Sequence, residues 1–133
     1  MKAKVLFVLM LLMAITFGVS AQSLEGTWKL KERGGNSVPE GYTQLKLITN
    51  NHFVWFIADK DGNIVSGAGG TLAVKGDQFE ETILYTLPGM KAWTGKKAMY
   101  KYKFENGLLL ITGALIFDET KKVENSEVWE IVR

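Results

Sequence analysis

Eight short apolar-rich segments, each bounded by residues that favour turns, occupy the sequence from Ser23 to the C-terminus. None of them keeps a helical spacing of apolar residues over three turns. Several alternate between apolar and polar side chains, as half-buried β-strands do. We therefore predict an all-β protein. The predicted strands cover residues 26–32, 43–49, 52–58, 64–74, 78–86, 97–104, 108–117 and 123–132.

Most connections between these segments are short enough for hairpins. Asn50-Asn51 and Asn106-Gly107 are both pairs that tolerate the positive φ angles of tight hairpin turns. Consecutive hairpins form an antiparallel meander, which would leave two unpaired edges if it stayed open. Closure removes these edges. We predict an eight-stranded antiparallel up-and-down β-barrel, whose interior holds side chains or one small ligand.

A glycine-rich stretch at residues 67–70 lies inside the fourth predicted strand. Glycine within a strand usually marks a bend, a bulge or a close backbone approach, and a small barrel needs such corners. The alternative is a flexible loop. A phosphate-binding loop is not expected, because no Gly-Lys-Ser/Thr follows and no helical pattern begins there.

The N-terminal segment has the pattern of a secretory signal peptide. Lys2 and Lys4 precede an apolar run over residues 5–17, and small residues follow up to Ala21. The run is shorter than the roughly 20 residues of a membrane-spanning helix. We predict cleavage after Ala21, a single domain over residues 22–133, and a periplasmic or extracellular location. The chain has no cysteine, so lipid attachment through cysteine is excluded.

The charge balance argues against nucleic acid as a partner. Removal of residues 1–21 takes away two of the 16 basic residues and none of the 14 acidic ones, which leaves the mature chain neutral. Nucleic-acid binding needs a concentrated basic surface. Because cysteines are absent, no disulfide supports the domain, and its stability must come from one core.

Strand alternation predicts which side chains face the interior, starting from Trp28. If Trp28 points inward, Gly26 and Leu30 do so as well. On the second predicted strand we expect Leu45 and Leu47 inside and Lys46 outside. On the fifth and sixth we expect inside: Phe79, Glu81, Ile83, Tyr85, Tyr100, Tyr102 and Phe104. The third and seventh strands are apolar on both faces, and the eighth allows either Glu127/Trp129/Ile131 or Val128/Glu130/Val132.

Glu81 is the main candidate for a functional side chain, because it lies among apolar and aromatic neighbours. Burial would raise its pKa unless it is paired. It could anchor a donor group of a ligand or act as a general acid or base. The alternative is a structural carboxylate at a barrel mouth or one bonded to a buried tyrosine.

Aromatic side chains form the second group of candidates. They either fill the core or line a ligand pocket. Trp93, in the long connection over residues 87–96, is a candidate for a lid or a contact with a partner. Together with Glu81, the candidate ligand-binding residues are Trp55, Tyr85, Tyr100, Tyr102 and Trp129.

Other chemistry has little support in the sequence. His52 is the only histidine, which excludes a site with several histidine ligands, and a place beside a hairpin turn explains it well. No serine lies in a nucleophile elbow. We expect no metal, no cofactor and no enzymatic activity.

Three features stand together: Gly26-Thr27-Trp28 on the first predicted strand, the meander of eight strands, and Arg133 at the end of the last strand. In these features the chain resembles the calycin superfamily of lipocalins and fatty-acid-binding proteins. Four motifs follow in order: Leu-Glu-Gly-Thr-Trp-Lys-Leu at 24–30, His-Phe-Val-Trp at 52–55, the glycine-rich segment 67–71 and Glu-Val-Trp-Glu at 127–130. By this ordered set the chain is more closely similar to small secreted lipocalin-like proteins of Bacteroidetes, a family of unknown function. This resemblance implies that Gly26 and Trp28 close one end of the barrel, with Arg133 packed over the tryptophan.

The sequence also departs from these families. Residues 33–42 are too rich in glycine and proline for the two-helix lid of fatty-acid-binding proteins, and no helix follows the last strand as in lipocalins. The positions that hold a fatty-acid carboxylate in that family correspond here to Glu127 and Trp129. An acidic residue there would repel a carboxylate, so a fatty acid is not the expected ligand.

Three functions follow from these observations. The first is an exported, non-enzymatic barrel that binds a small, largely apolar molecule, oriented by Glu81 and the tyrosines. The second is a barrel without a cavity that acts through its outer surface in protein interaction or envelope maintenance, with a partner that the sequence does not identify. The third and weakest is an enzyme that uses Glu81.

Overall fold

The computed structural model describes residues 22–133, so the predicted signal peptide lies outside the described residues. One short 3₁₀ helix, Pro88–Trp93, accompanies nine strands in this part of the chain. The strands are β1 Gly26–Arg33, β2 Asn36–Ser37, β3 Thr43–Thr49, β4 His52–Ala58, β5 Ile64–Lys75, β6 Gln78–Thr86, β7 Lys97–Glu105, β8 Leu108–Ile116 and β9 Lys122–Ile131.

The sheet is a closed antiparallel meander. From β3 to β9 each strand pairs with the next one in sequence, and β1 pairs with both β3 and β9. The predicted eight-stranded up-and-down barrel is therefore confirmed. The two-residue strand β2 is an addition to it. It pairs with the end of β1 across a tight turn, within residues 33–42, where no strand was predicted.

One end of the barrel, called the Trp28 end below, holds the buried side chain of Trp28. Its indole Nε1 donates a hydrogen bond of 2.8 Å to the carbonyl oxygen of Leu24, and its ring lies 6.2 Å from that of Phe104. Gly26 has a φ of +142°, and a Cβ atom there would lie 2.8 Å from Ile131 Cδ1. Glycine is therefore the residue that fits this backbone conformation and this close contact at the start of β1.

The glycine-rich segment is part of strand β5 and is not a flexible loop. The pairing of β5 with β6 shifts register between Gly69 and Gly70. A Cβ atom on Gly70 would collide with the backbone of Thr82 on the neighbouring strand. The glycine allows the two strands to approach closely where the barrel wall bends.

The inner face of β3 is the opposite of the predicted one. Lys46 points into the barrel and is buried, whereas Leu47 is exposed. The register explains this, because Lys46 lies directly opposite Trp28 on β1. Directly opposed residues of an antiparallel pair share one face of the sheet. The expectation of Leu45 and Leu47 inside was wrong because it relied on apolarity alone.

The inner face of β6 follows the prediction only as far as Ile83. Gly70 pairs with Ile83 and Gly69 pairs with Tyr85, so Leu84 is an extra residue in the strand. Such a bulge breaks the two-residue alternation. Tyr85 consequently lies on the outer surface, where it is 60% exposed.

The structure also resolves the strands for which no inner face could be chosen. On β9 the inner residues are Glu127, Trp129 and Ile131. On β4 they include Phe53 and Trp55. Those of β8 include Leu109, Ile111 and Leu115. Within residues 22–133, no helix is long and apolar enough to cross a membrane.

Candidate functional site

A cavity of about 330 Å³ opens at the end of the barrel opposite Trp28. This volume is at the lower end of the roughly 300–1,000 Å³ typical of small-molecule sites. Its lining combines aromatic, aliphatic and charged side chains from most strands of the barrel. The inner-face residues among them are Gln44, Lys46, Trp55, Glu81, Ile83, Ala98, Tyr100, Leu115, Asn125, Glu127 and Trp129.

The polar floor of the cavity is an ion pair between Lys46 on β3 and Glu81 on β6. The Lys46 ammonium contacts Glu81 Oε1, and each side chain is only 4% exposed. The two strands are not neighbours in the sheet, so the pair bridges the barrel interior. Each charge compensates the other in a place that water barely reaches, where either charge alone would be unfavourable.

Aromatic rings surround the Lys46 ammonium. Its Nζ atom lies between 5.5 and 5.8 Å from the centres of four rings. Ring faces attract cations at such distances, and the attraction is stronger where water is excluded. The rings belong to Phe53, Phe79, Tyr100 and Trp129.

Burial shifts the proton affinities of two groups at this floor. Desolvation raises the pKa of Glu81 above its ordinary value, with the charge of Lys46 opposing the shift and that of Glu127 adding to it. Desolvation also raises the pKa of the Tyr100 phenol, and Glu81 and Glu127 add to that shift. Tyr100 is therefore a neutral hydroxyl at physiological pH, able to donate or accept a hydrogen bond.

A second ion pair lies nearer the cavity mouth, between Arg33 and Glu127. Arg33 Nη2 donates to Glu127 Oε1 at 3.0 Å and to Gln44 Oε1 at 2.9 Å. The other carboxylate oxygen of Glu127 accepts a hydrogen bond of 2.8 Å from the indole of Trp129. Asn125 donates to Oε1 as well. Both oxygens of Glu127 are thus occupied by groups of the protein.

The aromatic wall of the cavity comes from β4 and the 3₁₀ helix. Trp93 lies 6.2 Å from Trp55 and 5.9 Å, edge to face, from Phe117. The backbone of the adjoining segment is tied to β6, since Gly95 donates a 2.7 Å hydrogen bond to the carbonyl of Ile83. The Trp93 side chain is therefore fixed against the cavity rather than free in solvent.

Four of the predicted site residues come together in this cavity: Trp55, Glu81, Tyr100 and Trp129. Tyr85 lies outside the barrel because of the bulge at Leu84. Tyr85 and Tyr102 therefore do not line this cavity with the other four, and a role for them in ligand binding stays a prediction.

Tyr102 faces the interior but lies toward the Trp28 end. Its ring packs 5.7 Å from Phe79, and its hydroxyl donates to the carbonyl of Gly76 at 3.0 Å. Arg133 is exposed and follows the end of β9, while Leu24 supplies the polar contact of Trp28. A role of Arg133 in covering Trp28 stays a prediction.

The cationic half of the site, Lys46 and Arg33, was not predicted from the sequence. In the β3 sequence Gln-Leu-Lys-Leu-Ile, the leucines were predicted to face the interior because they are apolar and alternate with polar residues. The signal that could have found Lys46 is the pairing register with Trp28. Arg33 was counted as a loop residue, although β1 extends to include it.

The arrangement suits binding through charge-assisted hydrogen bonds and aromatic contact. No group of three or more potential metal ligands occurs within residues 22–133. His52 is exposed, with Nδ1 at 2.7 Å from Asn51 Oδ1 beside the β3–β4 turn, so it takes no part in the cavity.

No protein-family model matches this chain, and no curated protein is significantly similar to it.

Proposed function

We propose that this protein is an exported, non-enzymatic, lipocalin-like barrel that binds a small, largely apolar molecule in its open-end cavity. The observation that carries the proposal is the cavity itself, a space of about 330 Å³ inside a closed barrel with a polar floor. Export is supported by the signal-peptide pattern of residues 1–21. The lipocalin-like assignment is supported by the barrel topology and the Gly-Thr-Trp motif of β1.

The distribution of side chains supports binding of a compact molecule with an apolar body. Trp55, Trp93 and Leu115 offer apolar surface on the wall of the cavity, while Lys46 and Glu81 offer polar groups at its floor. A mostly apolar lining with a few convergent polar groups is the usual composition of a small-molecule site. A barrel that acts only through its outer surface would not need a cavity with an apolar wall and a polar floor.

An enzymatic use of Glu81 receives less support. The carboxylate contacts the Lys46 ammonium, and the two side chains balance each other's charge. A buried ion pair of this kind serves equally well to orient a ligand. Glu81→Gln distinguishes the two uses, because a catalytic carboxylate would be essential for turnover of any substrate.

Native mass spectrometry of the protein purified from its natural host tests the proposal. We expect a complex heavier than the mature chain and, after denaturation, release of a small molecule whose mass accounts for the difference. The same spectrum gives the mass of the mature chain and so tests cleavage after Ala21.

A cavity-filling variant supplies the matched control. Ala98 is buried and lines the cavity, so Ala98→Leu should occupy part of its volume and reduce the bound fraction severalfold. Met99 is the next residue of β7 and is exposed on the outer face, so Met99→Leu should retain the ligand. Equal retention by both variants, or no bound molecule in the wild type, would contradict binding in the cavity.

A further inference from the structure

The charges inside the open end of the barrel are balanced in pairs. Lys46 is paired with Glu81, and Arg33 is paired with Glu127. The second pair is saturated, because Asn125 and Trp129 also donate to the Glu127 carboxylate. Among the described residues, both cationic side chains inside this end of the barrel therefore have a carboxylate partner. A ligand that enters the cavity meets no unpaired positive charge there.

The first pair is not saturated in the same way. Glu81 Oε1 is fully buried against the Lys46 ammonium, and no second group of the described residues donates a hydrogen bond to this oxygen. The carboxylate therefore keeps acceptor capacity for a ligand, since an ionised carboxylate offers about four acceptor positions. The ammonium of Lys46 has three donors, and its other neighbours are aromatic rings.

We propose that the cavity takes an uncharged ligand whose head group presents an N–H donor beside a carbonyl acceptor, as in a carboxamide or lactam. The N–H donates to the Glu81 carboxylate, and the carbonyl accepts from the Lys46 ammonium. The apolar body of the ligand lies against Trp55 and Trp93. This inference rests on the proposed function and adds the chemical class of the ligand.

Charge balance distinguishes this class from its ionic counterparts. A carboxylate head beside Lys46 would place a third negative charge near Glu81 and Glu127. An ammonium head would place a third positive charge near Lys46. Either ion would lose its hydration and meet a like charge at close range. An amide leaves both ion pairs intact and adds one partner to each member of the Lys46–Glu81 pair.

A matched series of three ligands tests the inference by isothermal titration calorimetry at pH 7. We use 1-naphthaleneacetamide, 1-naphthaleneacetate and 1-naphthaleneethylamine, which share one aromatic body and differ in the charge of the head group. We expect the amide to bind at least tenfold more tightly than either ion. Equal affinities, a tighter ion, or no binding of the amide would overturn the inference.

Variants of the floor show whether the preference arises there. Lys46→Met combined with Glu81→Leu should abolish the amide preference, because both polar partners are removed. Glu81→Gln, which keeps the shape of the side chain, should reduce the preference severalfold. The control pair Lys97→Met and Glu80→Leu removes an ion pair from the outer face of the barrel and should keep the preference. An unchanged preference in a folded floor variant would overturn the inference.

The molecule released from the host-derived protein separates this inference from the proposed function. A released carboxylic acid or amine would contradict the amide class while leaving small-molecule binding intact. A host-derived protein without any ligand, together with no binding in the naphthalene series, would contradict both.

Discussion

Lys46 is the residue on which the interior of this barrel depends most. It occupies a position where the alternation of β3 predicts a solvent-exposed lysine, yet it lies beneath the cavity with four aromatic rings around it. Its positive charge opposes the effect of burial on Glu81. Glu81 would otherwise be a carboxylate in an apolar environment without compensation.

Replacement of Lys46 should therefore be costly. We expect Lys46→Met to lower the free energy of unfolding by about 3–5 kcal/mol at pH 7, because it leaves Glu81 buried without a counter-charge. Chemical denaturation followed by circular dichroism measures this change. Lys97 is paired with Glu80 at 2.9 Å on the exposed face. Its replacement by Met should cost less than about 1 kcal/mol, and equal costs at both sites would contradict the account.

Glu81 should make stability depend on pH in a specific direction. In the unfolded chain it titrates near 4.5, whereas burial raises its pKa in the folded protein. Between the two values the unfolded state releases a proton that the folded state keeps. The stability of the wild type should therefore fall as pH rises through this window.

Glu81→Gln removes the titrating group and so tests this dependence. We expect the stability of the variant relative to wild type to increase with pH above 4.5, by up to about 1.4 kcal/mol for each pH unit within the window. Urea denaturation at a series of pH values measures the difference. Glu80→Gln, on the outer face of the same strand, controls for the loss of a carboxylate. Parallel pH profiles of wild type and Glu81→Gln would be inconsistent with a raised pKa.

Among the elements, β7 and β8 show how a glycine shapes the cavity. Gly113 on β8 lies opposite Tyr100 on β7. A Cβ atom on Gly113 would collide with the carbonyl of Met99 and would lie 2.8 Å from the ring of Tyr100. Because Gly113 has no side chain, the Tyr100 ring can lie across it and reach the Lys46 ammonium.

We expect Gly113→Ala to destabilise the protein by about 1–3 kcal/mol, because the two strands must separate locally. It should also displace Tyr100 from the cavity floor. Gly89→Ala is the matched control, since no atom lies within 4 Å of a Cβ at that position. Its effect should stay within about 0.5 kcal/mol. Thermal denaturation compares the two variants, and equal melting temperatures would contradict the close approach.

Element boundaries were largely predictable, because turn residues and the two-residue alternation act locally. Three strands begin and end at the predicted residues, Thr43–Thr49, His52–Ala58 and Gln78–Thr86, and the other five predicted strands differ by one residue at one or both ends. The inner faces were less predictable. The bulge at Leu84 and the register of β3 against β1 depend on contacts between strands, which a single sequence does not state.

At the scale of the whole molecule, the barrel has two unlike ends. Trp28 and Phe104 pack against each other at one end, whereas the cavity opens between β1, the 3₁₀ helix and β9 at the other. The four tryptophans divide in the same way, with Trp28 at the first of these ends and the other three lining the cavity. The indole N–H signal of Trp28 therefore reports on one end of the barrel. The signals of Trp55, Trp93 and Trp129 report on the cavity.

The most direct test is a ¹H–¹⁵N NMR spectrum of the four indole groups, recorded for the protein isolated from its host and again after removal of the bound molecule. We predict that the signals of Trp55, Trp93 and Trp129 shift between the two states while that of Trp28 stays in place. Four unchanged signals, or a shift confined to Trp28, would contradict ligand binding in the open-end cavity.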